Sequence, residues 1–270
     1  MNQLPIILPS GIVKKSNDFI RSKLMINNVL SGRILAVAAS TVRLDDEDFH
    51  TYKVSVSHFF PDFNAGGDNY SQLKQSVIEL SKGRIEKKIG LNDYAYYALF
   101  SKISYRKGYI EYRFDPDLKP FFIGLKEHFT KYSLLEFLCL PSVYSQRLFE
   151  ILKSWSSYPE VIITLNDLQN TLDVPPSFLR DFTNFRLRTL DKAYKDINEK
   201  TSLKYEWEAI KNKNKVTAIR FIFSQQNRMM AQKATIQKLT DKFIAEQARP
   251  GETWEEARNR LSNKNRNLFE

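Results

Sequence analysis

The stretch from Thr164 to Phe223 constrains the fold more than any other part of the chain. Thr164 stands three residues before Asp167, the spacing of a helix-starting capping box, so a helix is predicted over NDLQNTL. Pro175 and Pro176 in the DVPPS that follows do not suit a helix interior and make a turn. A longer helix is predicted from about Phe178 to Asn198. Two strands close the unit, SLKYEWEAI and KVTAIRFIF, joined by the basic turn KNKNK. Ahead of all this stand the helix PSVYSQRLFEILKSW, with apolar Val143, Leu148, Ile151 and Leu152, and the short strand VIITL. Helix, strand, helix, turn, helix and hairpin is the order of a winged helix-turn-helix.

The first half repeats the theme. A helical stretch, SNDFIRSKLMINNVLSGRILAVAAS, carries candidate hinge points at Asn27-Asn28 and Ser31-Gly32. It is followed by the alternating strand YKVSVSHFF, a helix from Ser71 to Lys82 after a Gly-Gly turn, and a strand beginning at Arg84. SKISYRKGYIEYRF reads as two strands turning at Lys107-Gly108, with Ile103, Tyr105, Ile110, Tyr112 and Phe114 as apolar positions. FFIGLKEHF begins a further short helix. The length of 270 residues suits about two domains of this size. The expected fold class is therefore α+β, two tandem winged-helix domains. An arm (1–15) would precede the first domain (16–130) and the second (131–225), and a helical tail (226–270) would follow. In that tail AQKATIQKLTDKFIAEQA is weakly amphipathic, TWEEARNRL opens on a capping box, and Trp254 is a candidate docking residue.

Charge points to a polyanion. Lys and Arg number 41 against 31 acidic residues, a formal +10 with a pI near 9.4. On the helix predicted from Phe178, Leu187, Leu190, Tyr194 and Ile197 fall on one stripe at helical spacing, the predicted packing face. Asn184, Arg188, Lys192 and Lys195 fall roughly opposite. Arg and Asn have bidentate geometry for guanine and adenine edges, while Lys serves phosphate. Lys211, Lys213 and Lys215 at the wing tip would straddle the adjacent backbone. The bland alternative is an amphipathic helix with a solvated charged face. Arg186 lies near the edge of the apolar stripe, and spacing alone does not put it on DNA.

Several classes are set aside. His50, His58 and His128 do not form the His-apolar-His pair of a metal-dependent nicking enzyme, and one cysteine rules out a Cys-rich zinc cluster. No Walker sequence is present. Asp45, Asp46, Glu47 and Asp48 read as a solvated turn. Cys139, in LLEFLCL, reads as a buried thiol in a reducing cytoplasm. The N-terminal residues are broken by Pro5 and Pro9 and do not read as a signal peptide, and no apolar run is long enough to span a membrane. The expectation is a cytoplasmic, non-enzymatic protein without cofactor or metal.

Three segments resemble the iteron-binding plasmid replication initiators of the RepB/RepE type. They are KSNDFIRSKL, FTKYSLLEFLCLPSVYSQRLFEILKSW, and SFLRDFTNFRLRTLDKAYKDINEKTSLKYEWEAIKNKNKVTAIRFIF. The resemblance runs from about Lys15 to Phe223, and YSQRLFEIL and FxxR…DKAYKDINEKT are its most specific pieces. It implies two winged-helix domains, the second making the main major-groove contacts with repeated origin sequences. The family's recognition helix carries an Arg after the entering aromatic, then a Phe and a basic cluster; here these are Arg180, Phe185, Arg186 and Arg188. Leu187 interrupts a run that is often unbroken. The resemblance also implies a dimer interface in the first domain, with backbone contacts expected from Lys74, Lys82 and Arg84. The implied partners are double-stranded DNA (origin repeats and the protein's own operator), a host initiator and a helicase. Monomers would act on direct repeats and homodimers would repress the operator. A winged-helix transcriptional regulator without initiator activity is the alternative.

Overall fold

A computed structural model describes residues 11–43, 45–58 and 67–224, and Glu256. The tail helices expected after Gln225, and Trp254, lie outside the described residues, as do Phe59 and Phe60.

The chain begins with strand β1 (Ile12–Ser16). Ser16 caps helix α1 (Asn17–Arg21) by accepting from the Phe19 N–H. Ser22 is extended and ends it, strand β2 (Lys23–Leu24) follows, and Asn28 caps helix α2 (Val29–Ser40) through the Leu30 N–H. The continuous helical stretch predicted here is thus two helices, split where Ser and Asn side chains compete for backbone groups. Ser31 and Gly32, expected as hinge points, instead lie inside an unbroken α2 and are buried. A Cβ at Gly32 would meet the end of the Gln146 side chain, which would have to move aside to admit it.

Strand β3 (Tyr52–Ser55) is shorter than predicted and passes into a 3-10 turn at Val56–His58. Helix α3 (Gly67–Lys82) starts four residues before the predicted Ser71. Strands β4 (Arg84–Lys88) and β5 (Tyr94–Ala98) form one hairpin, and β5 was not anticipated. The hairpin of β6 (Phe100–Arg106) and β7 (Tyr109–Phe114) turns at Lys107-Gly108, as predicted, with positive φ at both residues (50° and 81°). The helix expected in FFIGLKEHF is only the end of α4 (Lys119–Phe122), because Ile123 is extended and Gly124 has φ 65°. Strand β8 (Phe129–Ser133) leads into α5 (Leu134–Leu138) and α6 (Val143–Lys153). Cys139 is exposed, against expectation. It sits at the C-cap of α5, where Phe137 and Leu140 on either side take the core positions.

The second half contains β9 (Glu160–Thr164), α7 (Leu165–Thr171), α8 (Phe182–Phe185), a π turn (Arg186–Leu190), α9 (Asp191–Lys200), β10 (Tyr205–Asn212) and β11 (Lys215–Phe223). The Thr164 cap forms as the sequence suggests, accepting from the Asp167 N–H at 3.1 Å. The described strands make four antiparallel groups: β1-β8, β2-β4-β5, β3-β7-β6 and β10-β11-β9. Each half therefore builds helices against a wing-bearing sheet, the two-layer solution of a winged helix. In the first half Tyr52, Phe100, Tyr112, Phe114 and Phe122 stack into a buried aromatic core, and the Tyr112 hydroxyl is satisfied by Thr41 at 2.7 Å.

Helix α6 joins the halves. Glu150 is buried with Lys15 Nζ at 2.7 Å from Oε1 and Arg147 Nη1 at 2.8 Å from Oε2. The Tyr132 hydroxyl donates to the same carboxylate. Arg147 also donates to the carbonyls of Ile20 (3.0 Å) and Ser22 (2.9 Å). Burial alone would raise the Glu150 pKa, but Lys15 and Arg147 bring it below the ordinary carboxylate range; burial lowers that of Lys15. Toward the other half, the Ser145 hydroxyl donates to Asp196 of α9 at 2.6 Å.

Candidate nucleic-acid interface

The recognition-helix candidate begins later than predicted. Phe178 belongs to a 3-10 turn at Pro176–Phe178, and Asp181 is the N-cap of α8. Asp181 accepts from the Asn184 backbone N–H at 2.8 Å and from Asn184 Nδ2 at 2.7 Å. Asn184 is thus bound into the helix start, and Arg180 lies exposed in the bend before it.

The π turn changes which side chains face inward. The Asp191 N–H bonds the carbonyl of Arg186, five residues back, so each residue of the turn rotates less than the usual 100°. Phe185, Thr189, Leu190, Ala193 and Ile197 are buried, whereas Leu187 is 54% exposed. Leu187 does not belong to the packing stripe in which the sequence placed it, because a uniform helical period does not hold across residues 186–190. Tyr194 is half-buried, and its hydroxyl donates to the Glu206 carboxylate at 2.8–2.9 Å.

The same turn leaves cations outside. Arg186 is exposed with Nε 3.3 Å from Asp191 Oδ2, an ion pair that the five-residue turn brings together. The Arg188 guanidinium sits 4.9 Å over the Phe178 ring, which orients it. Lys192 and Lys195 are exposed and follow Arg188 at four and seven residues, on one helix face. At the wing, β10 and β11 turn through Lys213-Asn214 with Lys213 at φ 54°, and Lys211, Lys213 and Lys215 are all exposed. In the first half Lys74 and Lys82 are exposed on α3, and Arg84 is exposed at the first position of β4.

Sequence reasoning missed two groups. Arg106 and Lys107 are exposed at the tip of the β6–β7 hairpin, the first half's counterpart of the basic wing. The R-K-G of that turn was the available signal. Ser142 and Tyr144 also line a cleft with Arg188 and Lys192, a proximity that no local pattern encodes. Among the described residues, no cluster of three or more His, Cys, Asp or Glu could hold a metal ion, and Asp45–Asp48 form a turn in which Asp46 accepts from the Arg43 N–H. No helix among them is long and apolar enough to cross a membrane.

Comparison with known proteins agrees with this architecture. Residues 12–153 match the family described as "Initiator Replication protein, WH1", and residues 164–223 match "Initiator Rep protein, WH2". An "Uncharacterized 27.6 kDa protein" of Escherichia coli is 28% identical over 174 residues, covering 61% of this chain and 73% of that protein. Among solved structures, the Pi initiator protein in complex with iteron DNA superposes with a TM-score of 0.61 at 17% identity, over 81% of this chain and all of the other. RctB domains 2–3 align at a TM-score of 0.39 and 12% identity, over 84% of this chain and 93% of the other. The chain is a member of the initiator replication protein family, built from two tandem winged-helix domains.

Proposed function

We propose that the chain is a sequence-specific double-stranded-DNA-binding initiator that recognises repeated sequences at a plasmid origin and acts in the bacterial cytoplasm. The observation that carries this is the cationic face of the π-turn helix, Arg186, Arg188, Lys192 and Lys195, flanked by the three wing lysines. Support comes from family membership and from the fold shared with the Pi initiator, which was solved on iteron DNA. In this reading Arg186 and Arg188 meet base edges. Lys192, Lys195 and the wing meet phosphates, and Arg180 and Asn184 set the helix entry. Lys74, Lys82 and Arg84, with Arg106 and Lys107, add backbone contacts from the first domain.

The proposal extends to a dimer that represses its own operator and to recruitment of a host initiator and helicase. Strand β5 is a sheet edge, and Ile89, Leu91, Tyr94 and Tyr96 around it are exposed; this supports a second copy docking through the first domain.

Replacing Arg186 or Arg188 by Ala is expected to cost about 1–3 kcal/mol of specific binding each and to relax discrimination at one base pair. Duplexes selected by the full chain from a random library, compared with unselected duplex, provide the measurement. Equal losses on both would reassign these arginines to phosphate. Direct repeats of the selected sequence beside the gene favour initiation, and a lone inverted repeat favours the regulator.

A further inference from the structure

An open cleft of about 820 Å³ runs between the π-turn helix and the start of α2, with Asn27, Ser142, Tyr144, Phe178, Arg188 and Lys192 on its walls. Ser142 is the N-cap of the eleven-residue α6. It is 7% exposed, yet its hydroxyl makes no cap hydrogen bond. Elsewhere in the fold Ser16, Ser133 and Thr164 each accept a hydrogen bond from their own helix. Here the Ser142 side chain lines a cleft without capping its own helix, at a helix end whose first amides have no partner within the helix.

The lining of the cleft is also cationic. Phe178 holds the Arg188 guanidinium at 4.9 Å, and Lys192 stands one turn further on. The acidic residue in the cleft, Asp173, is already paired with Lys23 at 3.1 Å. Helix amides and an uncommitted hydroxyl sharing a cleft with a lysine form a receptor for a phosphate oxyanion. The cleft is open, and it adjoins the helix proposed to enter the groove. Its proline and aromatic walls suit the apolar face of a deoxyribose.

We propose that this cleft seats a phosphate of a DNA strand passing from the second domain toward the first, bound by Ser142 and the first amides of α6 together with Lys192, while Arg188 keeps its base edge. The proposal rests on the DNA-binding reading above and extends the interface to the junction of the domains.

The test uses the full chain with Ser142→Asp and Ser142→Asn. Asp and Asn cap helices as well as Ser does, and Asp also suits the helix dipole, so both variants should fold. Asp, however, places a negative charge where the phosphate would sit. Affinity is measured on the selected duplex and on a random duplex of about 30 base pairs, with inorganic phosphate titrated separately. Ser142→Asp is expected to weaken binding to both duplexes about tenfold or more with an unchanged or raised melting temperature, while Ser142→Asn stays within about threefold. Unchanged affinity in Ser142→Asp overturns the proposal. Equal losses in both variants also overturn it, since Ser142 would then matter only to the helix. Inorganic phosphate binding that Ser142→Asp abolishes, with duplex affinity intact, overturns the DNA strand as the source in favour of a free phosphate compound. If the wild-type chain binds no duplex, the DNA reading itself has failed, and the phosphate titration alone decides whether the cleft is an anion site.

Discussion

Replacing Glu150 by Gln is expected to destabilise the protein by about 3–5 kcal/mol, the cost of breaking a buried ion pair from one side. Lys15 and Arg147 are 1% and 4% exposed, so neither cation can turn to water once the carboxylate is gone. The loss should reach beyond α6. Lys15 ties in β1, Tyr132 ties in β8, and Arg147 holds the carbonyls that end α1 and begin β2. Because the folded pKa of Glu150 is lowered, its contribution is complete above the ordinary carboxylate range and is lost as the pH falls through the folded value. The variant and the wild type should therefore converge in acid. Urea unfolding at neutral and acidic pH measures both effects. A variant within about 0.5 kcal/mol of wild type at neutral pH would show that the cluster does not hold the first strand to α6.

Replacing Lys211, Lys213 and Lys215 together by Ala should weaken binding to every duplex. At about 0.9 for each phosphate released, three contacts correspond to a salt slope shallower by about 2.7. The upper limit is a loss of roughly 500-fold at 0.1 M salt, if counterion release is the whole of their contribution. The geometry favours three separate contacts: Lys213 occupies the turn with positive φ, while Lys211 and Lys215 flank it on opposite strands. Discrimination between sequences should persist, because the arginines of the π turn are untouched. Affinity measured across a salt series checks this, and an unchanged slope would remove the wing from the interface.

Much of the second domain is written in local signals. The Thr164 cap, the Pro175-Pro176 turn and the paired strands around KNKNK each act within a few residues, and each forms. The packing of the long helix is less legible. A single inserted residue in its hydrogen-bonding cycle exposes Leu187 and substitutes Phe185, and side-chain spacing carries no mark of that insertion. The first domain departs further, because its pairings are long-range. β1 and β8 lie more than a hundred residues apart in the chain, and β2 has only two residues, too few to show an alternation. The Lys15–Glu150 pair was likewise out of reach: Lys15 in KSNDFIRSKL gives no sign that its partner is on α6. The cation sets on the helix and the wing were readable because an amphipathic face and a hairpin tip are local features. The cleft at Ser142 was not, since it exists only where two domains meet.

The most direct test of the central claim is the affinity of the full chain for any direct repeats found beside its own gene, measured against a base-scrambled duplex of equal length near 0.15 M salt. The expected result is a preference of about a thousandfold or more for the repeats, lowered by about 30-fold or more when Arg186 and Arg188 are both replaced by Ala. Equal affinity for repeat and scrambled duplex would contradict sequence-specific recognition by this helix.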